Sequence, residues 1–397
     1  MGVTQSDRAL AGVFPARQTL RGTPARVPGS LIWSAGMGHP PTPSPEFGGC
    51  SALPGGHHPH RPVWCTPPGG TEWGDRSRDR TDRSERAQMA RKARAVRFDQ
   101  YGGIDELYVA DVVVPDPPSG EVQVAVRAAG LNPGEAAIRH GYLDERFPAT
   151  FPSGEGSDLA GVVVEIGDGV TSFAVGDEVL GWTDRRQSQA EYVNVPEDHL
   201  VRKPAGLSWE VAGSLYVVGV TAYAAVRAVD AGPGDTVVVS AAAGGVGSVT
   251  VQLLRARGAK VIGIASEANH PWLTSIGVTP VAYGDGLADR IRHLAPSGVD
   301  AFIDTFGAEY VTLAVELGVA PDRIDTIIAF DAAQRVGAKT EGSSAASTPE
   351  VLAEVADLVA SGAIVLPIAA TFPFERVRDA YTEVEKRHTR GKIVLVP

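Results

Sequence analysis

A run of small residues near the middle of the chain has the composition of an anion-binding turn. Thr236–Ser240 is an apolar stretch that predicts a buried strand, the sequence AAAGGVGS follows at 241–248, and Val246–Arg257 has helical spacing. Small residues let the backbone approach a diphosphate, and the partly positive N-terminus of the helix would face that anion. With a second predicted strand over Lys260–Ala265, this order predicts a dinucleotide site; a βα turn without a ligand is the alternative. The residues expected to border the diphosphate are Ala242, Gly244, Gly245, Val246 and Gly247.

The end of the second predicted strand indicates which dinucleotide fits. An NAD site usually has a carboxylate there that binds the ribose hydroxyls, whereas this chain has Ala265 and Ser266. The side chains of Ser266, Asn269 and His270 are donors that suit a 2′-phosphate, which a carboxylate would repel. We therefore expect NADPH as the cofactor, although Glu267 opposes that preference. An ordinary capping turn at the start of the next helix is the alternative role for Asn269 and His270.

Composition limits the class of protein. The chain has 397 residues, 43% of them apolar, and no run of about eighteen apolar residues that would span a membrane. Its net charge of −11 disfavours nucleic acid as a partner, and its N-terminus lacks the pattern of a secretory signal. We therefore expect a cytoplasmic protein without nucleic-acid or membrane partners.

Residues 1–88 are rich in Pro, Gly, Ser and Arg and lack a sustained helical or strand period. This composition predicts a disordered extension, in which the cluster His57, His58 and His60 is a solvated tail or, alternatively, a metal site. Strand-like alternation begins directly after Met89. We therefore expect that the extension is dispensable or that translation starts at Met89.

Two patterns divide the rest of the chain. Short β-rich runs separated by Pro and Gly fill 93–215 and predict an irregular, barrel-like β domain. Alternating strands and helices fill 216–364 and predict a doubly wound parallel sheet, after which 365–397 returns to β character and would complete the first domain. Predicted strands of the later part include Val281–Tyr283, Ala301–Thr305, Arg323–Ala329 and Ile364–Ala370.

Several segments, in this order, resemble the medium-chain dehydrogenase/reductase superfamily, and within it the zinc-free quinone oxidoreductase branch related to zeta-crystallin. They are AAGLNPGEAAIRHG (128–141), PSGEGSDLAGVVVEIGDGVTSFAVGDEVLG (152–181), GVTAYAAV (219–226), AAAGGVGS (241–248) and RGKIVL (390–395). The resemblance implies an α/β fold class, with a GroES-like β-rich domain plus a Rossmann doubly wound parallel sheet. It also implies an active-site cleft between the two domains and a homodimer formed through the edge of the Rossmann sheet.

The metal site of zinc-bearing relatives is not expected here. Those relatives have Gly-His-Glu where this chain has Gly156-Ser157-Asp158, and no cysteine follows Cys50 and Cys65. Without a metal to polarise a carbonyl, the site suits an acceptor that spreads the developing charge over several atoms. The expected activity is zinc-independent, NADPH-dependent hydride transfer to a quinone or an α,β-unsaturated carbonyl compound.

The resemblance implies roles for single residues on the acceptor side. Asn132 and Tyr142 would border the acceptor, and Tyr142 is a candidate proton donor. The alternative for Tyr142 is a loop tyrosine that packs against Phe147 or Phe151. Thr221 would lie near the nicotinamide carboxamide, unless it only caps a helix.

On the cofactor side, the resemblance implies that Phe306, after the fourth strand, and Ala329 with Phe330, after the fifth, line the cofactor at the carboxyl ends of the strands. Phe330 would otherwise belong to the core. Lys392 would reach the cleft from the final strand, and an exposed lysine on an edge strand is its alternative.

Two other functions stay open at this point. An enoyl-thioester reductase would need a basic mouth to the cleft, and its candidates are Arg139, Arg146, Arg185 and Arg186. A structural or regulatory protein that binds NADPH without turnover is the second alternative.

Overall fold

The computed structural model describes Arg91–Pro397, so the predicted extension over 1–88 lies outside the described residues. The strands are β1 (Arg91–Phe98), β2 (Tyr108–Val114), β3 (Glu121–Gly130), β4 (Ser153–Gly154), β5 (Asp158–Ile166), β6 (Glu178–Trp182), β7 (Tyr192–Pro196), β8 (Leu200–Arg202), β9 (Thr236–Val239), β10 (Lys260–Ile264), β11 (Thr279–Val281), β12 (Ala301–Asp304), β13 (Ile324–Thr326), β14 (Ile368–Pro373) and β15 (Lys392–Val396). The α-helices are α1 (Pro133–Arg139), α2 (Trp209–Ala212), α3 (Tyr216–Ala228), α4 (Gly245–Ala256), α5 (His270–Ser275), α6 (Leu287–Leu294), α7 (Ala308–Glu316), α8 (Phe330–Val336), α9 (Pro349–Ala360) and α10 (Val377–Glu385).

The β-rich domain has the predicted GroES-like character. A three-stranded antiparallel sheet has the order β2-β1-β4, and a seven-stranded sheet has the order β14-β15-β3-β5-β6-β8, with β7 paired to β3. Strand β3 is the centre of the larger sheet, because it pairs with β5, β7 and β15. The last strand of the chain thus joins the first domain, which is the return that the sequence predicts.

The second domain is a parallel Rossmann-type sheet with the strand order β11-β10-β9-β12-β13. Its strands are apolar on both faces because helices cover both faces. Val237 and Val239 pack into one core with residues of α3, α4 and α9, while Val238 and Phe302 pack into the other with residues of α6 and α7. The order reverses around β9, which pairs with β10 and with β12, and ligands of such sheets bind at the carboxyl ends beside that point.

Two predicted strands of the parallel sheet end elsewhere than expected. The prediction over Arg323–Ala329 is wrong beyond Thr326, because the Thr326 hydroxyl accepts a hydrogen bond from the Ala329 N–H (3.0 Å) and turns the chain. The prediction over Val281–Tyr283 is shifted, since β11 follows the pairing of Ile264 with Val281 and ends where β10 ends.

The strand predicted over Ile364–Ala370 is also shifted, and begins at Ile368. Gln252 of helix α4 binds both backbone polar groups of Val365. Its side-chain amide accepts from the Val365 N–H (2.8 Å) and donates to the Val365 carbonyl (2.8 Å). A residue whose two polar groups are bound in this way is not available for a strand ladder.

A buried carboxyl on β13 makes folding stability depend on pH. Burial raises the pKa of Asp325 to about 7, against a hydrogen bond that its Oδ1 accepts from the Glu341 N–H (2.8 Å), and its Oδ2 has no partner among the described residues. Since the folded state then binds more protons than the unfolded state between about pH 4 and 7, stability falls as pH rises through that window.

We expect the free energy of unfolding of the wild type to fall by about 2 kcal/mol between pH 5 and pH 7, because each pKa unit corresponds to about 1.4 kcal/mol. Asp325→Asn should lack this decrease. Urea unfolding of both proteins at pH 5, 6 and 7 measures this difference. Asp322→Asn, which removes an exposed carboxylate from the preceding turn, is the matched control and should follow the wild type. Parallel pH dependences of the wild type and Asp325→Asn would contradict the assignment.

Candidate active site

The predicted phosphate turn connects β9 to α4. Ala241 adopts a left-handed conformation (φ 42°), the Ala242 N–H donates to the carbonyl of Ile264 (3.0 Å), and Gly244 is the N-cap of α4. The first turn of the helix contains no acidic residue. Its N–H groups have no partner within the helix, so they and the helix dipole offer an anion site at the carboxyl end of β9.

Gly247 allows the helix to lie against this turn. A Cβ atom at Gly247 would lie 2.9 Å from the Ala241 carbonyl carbon and 3.0 Å from Ala242 Cα, and it would clash with the Ala241 carbonyl oxygen. These are backbone atoms, which cannot move aside without changing the turn. The residues present therefore fit a dinucleotide, whose diphosphate requires a close backbone approach.

Lys392 joins the phosphate turn to Asn132, which is predicted to border the acceptor. An ideal Cβ on Gly245 would lie 3.3 Å from Lys392 Cδ, so the aliphatic stem of the lysine passes beside the first residue of α4. Its ammonium donates to the carbonyl of Leu131 (2.8 Å), to Asn132 Oδ1 (2.6 Å) and to Asp158 Oδ2 (3.1 Å). Lys392 is 3% exposed and lies on β15 between two neighbours, so the alternative of an exposed edge-strand lysine is wrong.

Asn132 begins α1 and is fully engaged by its neighbours. It forms a capping box, in which its backbone N–H donates to Glu135 Oε2 (3.0 Å). Its side-chain amide donates to Glu135 Oε1 (3.0 Å) and to Asp158 Oδ2 (3.1 Å), while its oxygen accepts from Lys392. Both amide hydrogens are therefore committed to carboxylates.

The surrounding carboxylates form a buried polar cluster. Asp158 Oδ1 also accepts from the N–H of Val217 (2.7 Å), and Glu135 accepts from the Tyr381 hydroxyl (3.0 Å) and the Ser157 N–H (3.1 Å). Burial raises the pKa of Glu135, against the lowering effect of its hydrogen bonds with Asn132. The cluster occupies the region in which zinc-bearing relatives would have their histidine, at Ser157.

A second buried carboxylate, which the sequence reasoning missed, shapes the cofactor side. Asp304 ends β12 and accepts from the Ser240 hydroxyl (2.7 Å) and from the N–H groups of Phe306 (2.9 Å) and Gly307 (3.1 Å) on Oδ1. Its Oδ2 accepts from the Thr326 hydroxyl (2.7 Å), which in turn accepts from the Ala329 N–H. One carboxylate thus holds both turns that contain the predicted cofactor residues Phe306 and Ala329. An aspartate ending the apolar segment AFID at a carboxyl end was the signal in the sequence.

The predicted 2′-phosphate residues lie together after β10. Ser266 is partly exposed, and its hydroxyl accepts from the Asn269 amide (3.0 Å), which leaves the hydroxyl hydrogen free to donate. His270 Nε2 lies 3.3 Å from the Ala265 carbonyl. Asn269 is the N-cap of α5 but makes no side-chain cap hydrogen bond, so the ordinary capping role is not observed for it.

Two further predicted residues, Thr221 and Tyr142, lie outside the polar cluster around Asn132. Thr221 is buried within α3 rather than at its start, so the capping alternative is wrong. Tyr142 is 76% exposed and stacks on His140 (5.1 Å) rather than on Phe147 or Phe151. The structure thus does not join Tyr142 to the cluster around Asn132.

Phe306 and Phe330 at the carboxyl ends of β12 and β13 are each covered by an arginine from the other domain. Arg387 lies over the Phe306 ring (4.2 Å) and donates to its carbonyl (2.8 Å), and Arg146 lies over the Phe330 ring (5.1 Å). Phe330 is 37% exposed, so its alternative as a core residue is wrong. Arg387, absent from the sequence predictions, adds a cation beside Phe306, one of the predicted cofactor residues.

Within 91–397, no group of three or more His, Cys, Asp or Glu side chains has an arrangement that could hold a metal ion. In the same residues, no helix is long and apolar enough to cross a membrane.

Two family models match the chain: an alcohol dehydrogenase GroES-like domain over 118–205 and a zinc-binding dehydrogenase over 213–395. The chain is 30% identical over 340 residues to the synaptic vesicle membrane protein VAT-1 homolog of Rattus norvegicus. This alignment covers 75% of this chain and 82% of the relative. The chain is also 30% identical over 325 residues to the chloroplastic NADPH-dependent alkenal/one oxidoreductase of Arabidopsis thaliana. That alignment covers 76% of this chain and 78% of the relative.

Solved structures agree with these matches. A quinone oxidoreductase from Coxiella burnetii superposes with a TM-score of 0.70 at 28% identity, over 77% of this chain and 100% of the other. The Escherichia coli quinone oxidoreductase complexed with NADPH superposes with a TM-score of 0.67 at 25% identity, over 77% and 100%. The fold and site therefore define an oxidoreductase of the GroES-plus-Rossmann class. The chain belongs to the medium-chain dehydrogenase/reductase superfamily, in its zinc-free, quinone oxidoreductase-like branch.

Gly247→Ala tests the close approach in the phosphate turn. We expect the added methyl to displace α4 from the turn and to weaken NADPH binding at least tenfold, because the clashing atoms belong to the backbone. Fluorescence titration gives the dissociation constant, and thermal unfolding without cofactor separates a local effect from loss of fold. Gly232→Ala is the control, since a Cβ there would meet no atom within 4 Å. Unchanged NADPH affinity in Gly247→Ala would refute the assignment.

Proposed function

We propose that this protein is a zinc-independent, NADPH-dependent reductase of quinones or α,β-unsaturated carbonyl compounds. The observation that carries the proposal is the position of Lys392, whose stem lies beside the phosphate turn while its ammonium fixes Asn132 and Asp158. One side chain thereby contacts both the phosphate turn and the predicted acceptor site. The similarity to an NADPH-dependent alkenal/one oxidoreductase and to quinone oxidoreductases supports the acceptor class.

The chain's own residues divide the work of binding. The first turn of α4 would bind the diphosphate through its free N–H groups, and Ser266, Asn269 and His270 would bind a 2′-phosphate. Phe306, Ala329 and Phe330 would border the nicotinamide, with Thr221 near its carboxamide. When bound, the cofactor supplies a hydride from the nicotinamide ring. A homodimer and a cytoplasmic location are part of the same proposal.

The acceptor side explains why a conjugated substrate suits this site. Asn132 has no amide hydrogen left for a developing oxyanion, and the three donors of the Lys392 ammonium are all engaged. Neither residue would therefore stabilise a charge localised on one carbonyl oxygen, whereas a quinone or enone spreads that charge over several atoms. Asn132 would act as a fixed wall of the site, and Tyr142 remains the candidate proton donor from its exposed loop.

Cofactor choice is tested at the end of β10. Ser266→Ala and His270→Ala should each weaken NADPH binding about tenfold and change NADH binding less than twofold, since a hydrogen bond to a charged group contributes about 1.5 kcal/mol. Dissociation constants by fluorescence titration measure both. Glu267→Gln is the control variant and should bind NADPH at least as well as the wild type, because it removes a like charge. Equal losses for NADPH and NADH would show that these side chains do not contact the 2′-phosphate.

Turnover is tested with the full chain by following NADPH oxidation at 340 nm, with NADH in parallel. The acceptors are 1,4-benzoquinone, 9,10-phenanthrenequinone, a 2-alkenal and crotonyl-CoA. We expect oxidation that depends on a quinone or the alkenal and is faster with NADPH. Turnover confined to crotonyl-CoA would favour the enoyl-thioester alternative. Tight NADPH binding with no oxidation for any acceptor would favour the non-catalytic alternative.

A further inference from the structure

One arginine joins the loop of the acceptor side to the cofactor edge of the parallel sheet. Arg146 lies in the loop 141–152, which follows α1, and its guanidinium lies over the rings of both Phe147 (5.4 Å) and Phe330 (5.1 Å). Phe330 begins α8 just after the carboxyl end of β13, where a doubly wound sheet binds ligands. Arg146 therefore lies at the mouth of the proposed site, flanked by two exposed aromatic rings.

Among the described residues 91–397, no acceptor binds the side-chain N–H groups of Arg146, in contrast to the other arginines near the loop. Arg139 is buried and paired with Glu155 and Glu385. Arg185 is paired with Glu121, and both terminal nitrogens of Arg186 donate to loop carbonyls.

No carboxylate or carbonyl of the described residues 91–397 accepts a hydrogen bond from the Arg146 side chain. This holds even for the nearby acidic residues in sequence: Asp144 and Glu145 precede Arg146, and Asp331 follows Phe330. Stacking on aromatic rings orients a guanidinium without occupying its N–H groups, which lie in the plane of the group. The two rings thus orient the Arg146 guanidinium, and no residue of 91–397 accepts from its N–H groups.

We propose that Arg146 is a specificity-determining residue that selects conjugated acceptors carrying an oxyanion, such as a sulfonate, carboxylate or phosphate. This inference rests on the proposed reductase function and adds the acceptor class. The rings of Phe147 and Phe330 offer an apolar surface to the conjugated part of the acceptor, and the guanidinium donates to the oxyanion. The anion has two possible sources, which are a substituent on the acceptor itself or the phosphates of an acyl carrier.

The experiment compares charged and neutral acceptors of the same core. The kcat/KM of the full chain is measured with 1,2-naphthoquinone and its 4-sulfonate, and with crotonyl-CoA and the neutral crotonyl N-acetylcysteamine thioester. Intrinsic reactivity differs within each pair, so the quantity compared between variants is the ratio of charged to neutral. The variants are Arg146→Met, Arg146→Lys and the control Arg335→Met, which removes an exposed arginine from the far end of α8.

We expect Arg146→Met to lower the ratio about fivefold in at least one pair, as an exposed charge-assisted contact of about 1 kcal/mol predicts, and to leave neutral turnover within about twofold. Arg146→Lys should keep part of the ratio and Arg335→Met all of it, and added salt should reduce the wild-type ratio towards that of Arg146→Met. A fall only in the quinone pair identifies a substituent of the acceptor, and a fall only in the thioester pair identifies carrier phosphate.

Two outcomes overturn the inference and can be told apart. Normal turnover of neutral acceptors, with both ratios unchanged in Arg146→Met, removes the role of Arg146 and leaves the reductase function intact. Absence of turnover with every acceptor in the wild type removes the proposed function, and the acceptor class with it.

Discussion

The buried ion pair between Lys392 and Asp158 is the interaction on which the candidate site depends. The two groups are 3% and 0% exposed, so each would carry a large desolvation cost without the other. They are separated by more than two hundred residues in sequence, and their contact joins β15 to β5. Since Asp158 also accepts from Asn132 and from the N–H of Val217, the starts of α1 and α3 are tied to the same carboxylate. Removing one partner of such a pair costs about 3–5 kcal/mol and would release all of these elements together.

A second buried carboxylate has the same function in the parallel sheet. Asp304 has four donors, one from the Ser240 hydroxyl, two from backbone N–H groups and one from the Thr326 hydroxyl. These donors come from the ends of three neighbouring strands, β9, β12 and β13. Burial raises the pKa of Asp304, and the same four hydrogen bonds oppose that shift. Both halves of the site are therefore organised by a buried, fully bonded aspartate.

The sequence predicts the elements that repeat a simple physical pattern. The parallel strands are continuous apolar runs and the phosphate turn combines small residues with a helix start, so β9, α4 and β10 begin and end within one residue of their predictions. The return of β15 to the first domain also follows from its composition. Helices α8 and α10 escape prediction because they span only 7 and 9 residues between loops, and their burial depends on partners far away in sequence. Val377 and Tyr381, for example, pack with Val96, Leu107 and Ile393.

The same limit explains which site residues could be predicted. Glycines of the phosphate turn are dictated by local backbone geometry, and the Ser266-Asn269-His270 cluster spans a single turn, so both are visible in one stretch of sequence. The state of Asn132 is different: whether its amide is free depends on Lys392 from β15 and Asp158 from β5. Likewise, Tyr142 follows a motif in sequence, yet its ring stacks on His140 and is mostly exposed. Motif position alone reports neither the long-range pairing of Asn132 nor the exposure of Tyr142.

The network also limits the chemistry that the site can perform. In a metal site, the cation would meet the charge that develops on a carbonyl oxygen. Here the cation beside Asn132 is Lys392. Its ammonium donates to Leu131, Asn132 and Asp158, and the carboxylate of Asp158 balances its charge. The Lys392, Asn132 and Asp158 side chains satisfy one another, so the cluster would position ligands more than it stabilises new charge. Free donors occur instead at the edges, in the first turn of α4 and at Arg146 on the loop. Binding of anions at these edges, beside an Asn132 amide and a Lys392 ammonium whose donors are all engaged, fits the proposed acceptors, which accommodate hydride without a localised negative charge.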